Sequence, residues 1–238
     1  MNNIETLQSW ISDSNNIVFF GGAGVSTESG ISDFRSVDGL YHQEWSFPPE
    51  TILSHSFFEN NPKEYYRFQR CKLTVDGFQP NTCHRKLAEL EAEGKLKAVI
   101  TQNIDGLHQA AGSKEVLELH GSLLRAYCSD CGRSVSYKKM YEGTDVPRCD
   151  HCGGIIRPDI VLYEEPLDNA VMMKAIHYIR DAEIMIVGGT SLNVYPAAGL
   201  IDYYRGHKLV LINRSETPYD RYADLIIHDN IGKVFSQL

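Results

Sequence analysis

Two Cys-x-x-Cys pairs, Cys128 with Cys131 and Cys149 with Cys152, stand 17 residues apart in this chain. Each pair offers two thiolates at knuckle spacing, and two knuckles complete a tetrahedron. Four protein ligands leave no open coordination position, so the metal implied is a structural zinc rather than a catalytic one. A disulfide or redox pair is the weaker reading of two matched knuckles. His151, inside the second knuckle, reads as an exposed loop residue and not as a fifth ligand. Cys71 and Cys83 stand apart and read as packed or idle thiols of a reducing compartment.

Other reactive side chains sit where short apolar runs end. Thr101-Gln102-Asn103-Ile104-Asp105 closes the run beginning at Lys97, and His120-Gly121 closes the run beginning at Val116. Gly188-Gly189-Thr190-Ser191 and Asn213 close two later runs. Histidine is the usual general base near neutral pH, whereas small hydroxyls and amides suit hydrogen bonds to ribose or phosphate. Each has a plainer reading: Asn103 or Asp105 can cap a helix starting near Gly106, and a lone histidine is more often structural than catalytic. Their weight comes from convergence, because all follow successive apolar runs. The other histidines have no comparable position and read as surface or packing.

The stretch Ile17 to Arg35 has the same character. An apolar run, Ile17 to Phe20, breaks into Gly21-Gly22-Ala23-Gly24 and then into small polar residues ending at Asp33-Phe34-Arg35. A buried strand that turns through glycine into a helix start is how α/β proteins hold a pyrophosphate. The GxGxxG match is incomplete, with Thr27 in the third glycine position. No strand-ending acid follows at the distance that an ordinary dinucleotide fold uses for the adenine ribose, and Asn213 could take that role.

The elements that must carry these residues alternate. Helical spacing covers 3–13, strand 17–20 follows, and a short helix is expected around 25–29. A helix starts at Pro80-Asn81, with strands at 97–101 and 116–119. Further strands are expected at 159–162, 183–188, 208–213 and 223–228, with helices at 167–180, 196–204 and 231–237. Such alternation implies a doubly wound parallel sheet, a Rossmann-like α/β domain covered on both faces. Two stretches leave the rhythm. Residues 36–76 are aromatic and irregular (Leu40, Tyr41, Trp45, Phe47, Phe57, Phe58, Tyr65, Tyr66, Phe68) and read as a helical insert; residues 122–157 hold the cysteines. The core is thus expected to comprise 1–35, 77–121 and 158–238. The helical insert and the zinc-binding module should form a smaller lobe, with a cleft beside the strands' carboxyl ends.

Composition bounds the partners. The chain has 238 residues, 42% hydrophobic and 23% charged, which suits a packed core. A formal net charge of −8 argues against nucleic-acid binding by phosphate neutralisation, and leaves basic substrates open. The N-terminal residues show no signal-peptide pattern, and no apolar run approaches the roughly 20 residues of a membrane helix. A cytoplasmic monomer is the expectation.

Taken in order, Gly22-Ala-Gly-Val-Ser26, Ser29-Gly-Ile-x-Asp-Phe-Arg35, Gln102-Asn-Ile-Asp105, His120-Gly121, both knuckles, Arg157-Pro158, Gly189-Thr-Ser191 and Asn213 resemble the sirtuin family of NAD-dependent protein deacylases. The resemblance spans essentially the whole chain. It implies that NAD is consumed with an acyl-lysine protein or peptide, and that the products are nicotinamide, free lysine and O-acyl-ADP-ribose. It implies His120 as general base on a ribose hydroxyl and Asn103 as the residue positioning a water or the ribose. Gln102 would hydrogen-bond the ribose, and Asp105 with the Ile104 backbone would grip the carboxamide. Gly22, Ala23, Gly24, Thr27, Asp33, Phe34, Arg35, Gly189, Thr190, Ser191, Asn213 and Ile231 would complete the cofactor site. Val161, Leu162 and Tyr163 would pair with substrate backbone by strand addition, and Tyr66 and Gln69 would face the acyl group.

Three departures stand out. Ser32 replaces a usual proline, and Glu164 replaces a usual glycine in the substrate segment. Relatives that remove acidic acyl groups carry a Tyr-x-x-Arg pair, where this chain has Tyr66 and Gln69, with Arg70 one place later. Other readings are a mono-ADP-ribosyltransferase on the same scaffold, a hydride-transfer dehydrogenase, and a non-enzymatic zinc-ribbon binding protein.

Overall fold

Every residue of Ile17-Val-Phe-Phe is apolar, as a strand covered on both faces requires. In the computed structural model these residues form β1 (Ile17–Gly21), with Phe19 in the core on one side of the sheet and Val18 and Phe20 in the core on the other. The structure describes residues 2–33 and 45–238; Phe34, Arg35, Leu40 and Tyr41 lie outside the described residues. Within them, β1 is joined by β2 (Leu96–Thr101), β3 (Val116–Glu118), β7 (Ile184–Gly188), β8 (Leu209–Ile212) and β9 (Leu225–Ile227). Together they make a six-stranded parallel sheet in the order β3-β2-β1-β7-β8-β9. The chain reverses its direction of winding between β1 and β7, where a doubly wound sheet opens its ligand crevice. Register aligns Gly21 with both Thr101 and Gly188, and Gly188 with Ile212, so the carboxyl ends finish level.

Helices α1 (Asn3–Asp13), α5 (Thr82–Ala92) and α8 (Ile231–Phe235) cover one face through Leu7, Leu87 and Phe235. Asn2 and Glu5 close α1 with a capping box. On the other face, α7 (Asn169–Asp181) and a 3-10 helix over Ala197–Tyr203 supply Ile179 and Leu200.

The two irregular stretches share a third core. Helices α2 (Pro49–Ile52), α3 (His55–Asn60) and α4 (Pro62–Lys72) pack Phe57, Phe58, Tyr65, Tyr66 and Phe68 against an antiparallel sheet of β4 (Gly121–Cys128), β5 (Ser134–Val135) and β6 (Ile156–Ile160). Phe58, Tyr65 and Tyr66 meet edge to face, with centroids 5.0–6.2 Å apart.

Three expected elements differ. The helix expected near 25–29 is two single 3-10 turns, Ala23–Val25 and Thr27–Ser29, ended by Gly30 at φ 91°. Gly-Ala-Gly holds helix poorly, and a left-handed glycine stops it. Residues 197–203 likewise form 3-10 rather than α-helix, with Pro196 as N-cap and Gly199 inside. The strand expected at 159–162 is Ile156–Ile160, and it pairs antiparallel with β4 instead of joining the parallel sheet. Local apolar content marks a strand, but its partner is a tertiary choice.

Candidate active site

The loops leaving β1 and β7 cross backbone to backbone. Gly24 N–H donates to the Gly189 carbonyl at 2.8 Å. A Cβ on Gly24 would lie 2.8 Å from Gly189 Cα, and one on Gly189, at φ 61°, would lie 2.4 Å from Val25 N. Both glycines are therefore required by close approach. A Cβ on Gly22 would meet Thr190 at 2.7 Å. The crossing floors a cavity of about 510 Å³, within the range of small-molecule sites.

Around its wall the structure gathers Gly22, Ala23, Gly24, Thr27, Asp33, Gln102, Asn103, Ile104, Asp105, His120, Gly189, Thr190, Ser191, Asn213 and Ile231. Thr27, in the third glycine position, donates its hydroxyl to the Gly24 carbonyl at 3.0 Å and so braces the loop. A polar chain runs across the strand ends. Gln102 Nε2 donates to Thr190 Oγ1 at 3.0 Å, and Thr190 N–H donates to Asn213 Oδ1 at 2.9 Å. Asn213 Nδ2 is buried and has no partner among the described residues. That leaves a donor in the wall for an oxygen-rich ligand, which fits the ribose and phosphates of a dinucleotide.

Ser26, named in the sequence only as the end of the glycine motif, acquires a role in the structure. It is 1% exposed. Asn103 Nδ2 donates to its hydroxyl at 3.0 Å, and the hydroxyl donates to Asp105 Oδ2 at 2.7 Å. Asp105 Oδ1 accepts from Leu107 N–H at 2.9 Å, so it satisfies the first N–H of α6 (Leu107–Ala111), whose N-cap is Gly106, while lining the cavity. Burial pushes the Asp105 carboxyl above its ordinary range, against the pull of Leu107 N–H and the Ser26 hydroxyl. Ser26 lay inside the glycine motif, but its hydroxyl acquires partners only when Asn103 and Asp105 arrive from β2. Sequence reasoning missed Arg214, which lines the cavity 3.7 Å from Asp33.

His120 sits at the exit of β3. Its Nδ1 lies 2.9 Å from the Gln102 carbonyl. A carbonyl only accepts, so Nδ1 carries the proton and Nε2 keeps the basic lone pair. Burial lowers the imidazole's proton affinity, partly offset by that carbonyl. His120 is thus a neutral, oriented base at pH 7.

Val161, Leu162 and Tyr163 line the same cavity. Val161 N–H donates to the His120 carbonyl, Tyr163 N–H to that of Leu53, and His55 N–H to that of Tyr163. Glu164 has φ 76°, a backbone region that suits glycine. Its carboxylate accepts from Ser56 N–H at 2.9 Å and Ser56 Oγ at 3.0 Å, which ties the segment to α3. Burial raises the Glu165 carboxyl, but Arg157, Leu162 N–H and His55 together hold it below its ordinary value.

Tyr66 and Gln69 are not brought to the cavity. The Tyr66 hydroxyl donates to the Ile156 carbonyl, and Gln69 Nε2 donates to Met140 Sδ at 3.6 Å. Both belong to the aromatic core that packs on the cysteine module.

The four cysteine sulfurs all lie within 4.8 Å of one another, with Cys128 to Cys152 at 3.4 Å and Cys131 to Cys149 at 3.9 Å. A tetrahedron with Zn–S bonds of about 2.3 Å has edges near this length. Each knuckle turns through a left-handed glycine, Gly132 and Gly153. The N–H groups of Cys131 and Asp130 help hold the Cys128 thiol down to about 7, toward the thiolate that a metal takes. The donor set fits a structural zinc.

Comparison with known proteins agrees with this geometry. A family model described as the Sir2 family matches residues 22–196. The chain is 58% identical to an NAD-dependent protein deacetylase of Clostridium perfringens, covering 99% of this chain and 98% of that protein. It is 45% identical to one of Staphylococcus aureus, covering 100% and 98%. A solved structure of Sir2 with a p53 peptide and NAD+ superposes with a TM-score of 0.89 at 40% identity, over 100% of this chain and 97% of the other. One of Sir2 bound to acetylated peptide gives 0.88 at 38% identity, over 100% and 97%.

Proposed function

The chain belongs to the Sir2 family, and from that premise we infer that it is an NAD-dependent protein deacetylase. It takes an acetyl-lysine protein or peptide with NAD and yields free lysine, nicotinamide and O-acetyl-ADP-ribose. The observation that carries this reading is the convergence of His120, Asn103, Asp105, Gln102 and Thr190 on one cavity at the carboxyl ends of the sheet. Bound there, NAD supplies an electrophilic ribose carbon from which nicotinamide departs, and the ribose hydroxyl that receives the acyl group.

This chain's own groups supply the rest. The turn through Gly22, Ala23 and Gly24, with Gly189 packed against it, lets the backbone approach the phosphates, while the hydroxyls of Thr190 and Ser191 and the unpartnered Asn213 Nδ2 supply donors to phosphates and riboses, with Thr27, Asp33, Phe34, Arg35 and Ile231 completing the cofactor site. Gln102 presents its amide to a ribose. Asp105 and the Ile104 backbone grip the carboxamide, and Asn103 fixes a ribose or water. His120 Nε2 takes the proton of the attacking ribose hydroxyl. Val161, Leu162 and Tyr163 align the substrate backbone, and Leu123, Ile160 and Leu162 form an apolar wall that keeps water from a weak amide nucleophile. Cys128, Cys131, Cys149 and Cys152 hold one structural zinc.

The working unit is the whole chain. Its core comprises 1–35, 77–121 and 158–238, with the insert 36–76 and the zinc module 122–157 as the smaller lobe. The enzyme acts as a cytoplasmic monomer without nucleic acid. Its acyl range favours neutral groups over acidic ones. In support, neither Gln69 nor Arg70 presents a cation to the cavity: Gln69 is buried in the aromatic core, and Arg70 donates its guanidinium to the carbonyls of Met140, Glu142 and Asp145 at 2.7–3.2 Å.

Mass-spectrometric products from NAD and a panel of acetyl-, succinyl- and longer-chain acyl-lysine peptides test the reading. O-acetyl-ADP-ribose and free nicotinamide are expected. ADP-ribose attached to protein without lysine release, or NADH formation, would overturn it.

A further inference from the structure

We propose that Asn81 is a positioning residue for the cofactor loop, acting from behind the loop through the backbone at Val25. The inference rests on the deacetylase reading above. Asn81 is the N-cap of α5 and is 9% exposed. Its amide makes four hydrogen bonds. Oδ1 accepts from Cys83 N–H at 3.0 Å and His84 N–H at 3.4 Å, which is the capping half. Nδ2 donates to the Val25 carbonyl at 2.7 Å and to Ser29 Oγ at 3.1 Å, which has nothing to do with capping. Cap oxygens satisfy helix N–H groups whichever capping residue supplies them; an asparagine is needed here because only an amide also donates two hydrogens outward.

The place where those donors land matters. Val25 is wholly buried and ends the first 3-10 turn, and the next residue, Ser26, bonds Asn103 and Asp105. Val25 N is also the atom against which Gly189 packs. A shift at Val25 therefore moves both the phosphate-facing turn and the serine that orients two polar groups of the cavity. On its other flank the loop is tied by Glu28, whose carboxylate accepts from Gly232 N–H at 2.6 Å. Asn81 itself is braced from below: its N–H donates to His84 Nδ1 at 3.3 Å, and the His84 ring packs on buried His108 with centroids 4.6 Å apart and the rings tilted by 57°. A rigid core thus reaches the cofactor loop through one side chain.

Asn81→Ser tests this, because serine keeps a cap oxygen and adds no charge. Ser29→Ala removes only the outer of the two loop contacts. For Asn81→Ser the expected result is an NAD dissociation constant raised about tenfold by calorimetry, the order that losing one buried hydrogen bond produces. The acetyl-peptide KM should stay within about twofold and the Tm within a few degrees. Ser29→Ala should raise the NAD constant by roughly two- to threefold. A purely structural cap would change Tm and leave NAD affinity alone. If both variants bind NAD as wild type does, or if Asn81→Ser fails to fold while Ser29→Ala binds NAD normally, the proposal is overturned. Wild-type protein that neither binds NAD nor deacetylates peptide would instead overturn the functional reading beneath it.

Discussion

His120 shows how one backbone contact decides the chemistry of a side chain. The Gln102 carbonyl accepts a hydrogen bond from Nδ1–H, so the lone pair that remains is on Nε2, where it is available for a substrate hydroxyl. The active form of a base is its deprotonated form. Burial depresses the imidazole below its ordinary 6.5, so that form persists to lower pH than it would in a free histidine. The acid limb of kcat/KM is therefore expected to have its midpoint below 6.5, with activity falling as pH drops through it. A midpoint above 6.5 would contradict a buried neutral base. His120→Ala should lower kcat by about 10²-fold or more, the scale of general base catalysis, with NAD binding and Tm close to wild type. Near-normal turnover in that variant removes His120 from its assigned role.

At the scale of elements, the site depends on two loops in backbone contact. The turn after β1 and the turn after β7 touch at Gly24 and Gly189, with no flexible side chain between them to yield. Gly24→Ala forces the two strand ends apart. Overpacking of this kind typically costs about 1–3 kcal/mol, and for a chain of this length each kcal/mol lowers Tm by roughly 2–4 °C. The accompanying effect should be larger on NAD affinity, weakened more than about tenfold, because we assign the cofactor phosphates to that turn. Calorimetric titration with NAD alongside a thermal melt separates the two; unchanged affinity would show that the crossing does not shape the cofactor site. The 3-10 turns belong to the same picture. With only single 3-10 turns after β1, no long helix points a macrodipole at the cavity from this loop.

The whole molecule couples the zinc module to the cleft. Cys128 and Cys149 are buried in the same apolar cluster as Leu123, Ile160 and Leu162, and those three also wall the cavity. Metal at the knuckles would thereby support one wall of the cavity. Cys149→Ser should lose about one zinc per chain, melt at lower temperature, and bind acetyl-peptide more weakly, since binding energy of a structural zinc is folding energy for the module it closes. Metal analysis with a melt checks this. A variant that loses its metal but melts like wild type would end the case for a structural site.

Much of this was determined by the sequence alone. Period and composition determine β1, β2, β7 and β8, because a strand covered on both faces must be apolar throughout. Knuckle spacing determines the cysteine cluster, because its geometry is local. The order of the motifs determines the family resemblance. Tertiary structure decided what depends on contacts between distant segments. Val161's neighbours, Ile156–Ile160, belong to an antiparallel sheet, because pairing is a choice among partners that local apolarity does not encode. Tyr66 and Gln69 turn away from the cavity, because their polar ends are taken up in the aromatic core. Ser26 joins the site, and Asn81 reaches behind the loop, because a hydroxyl or an amide acquires a role only once its partners are within about 3 Å.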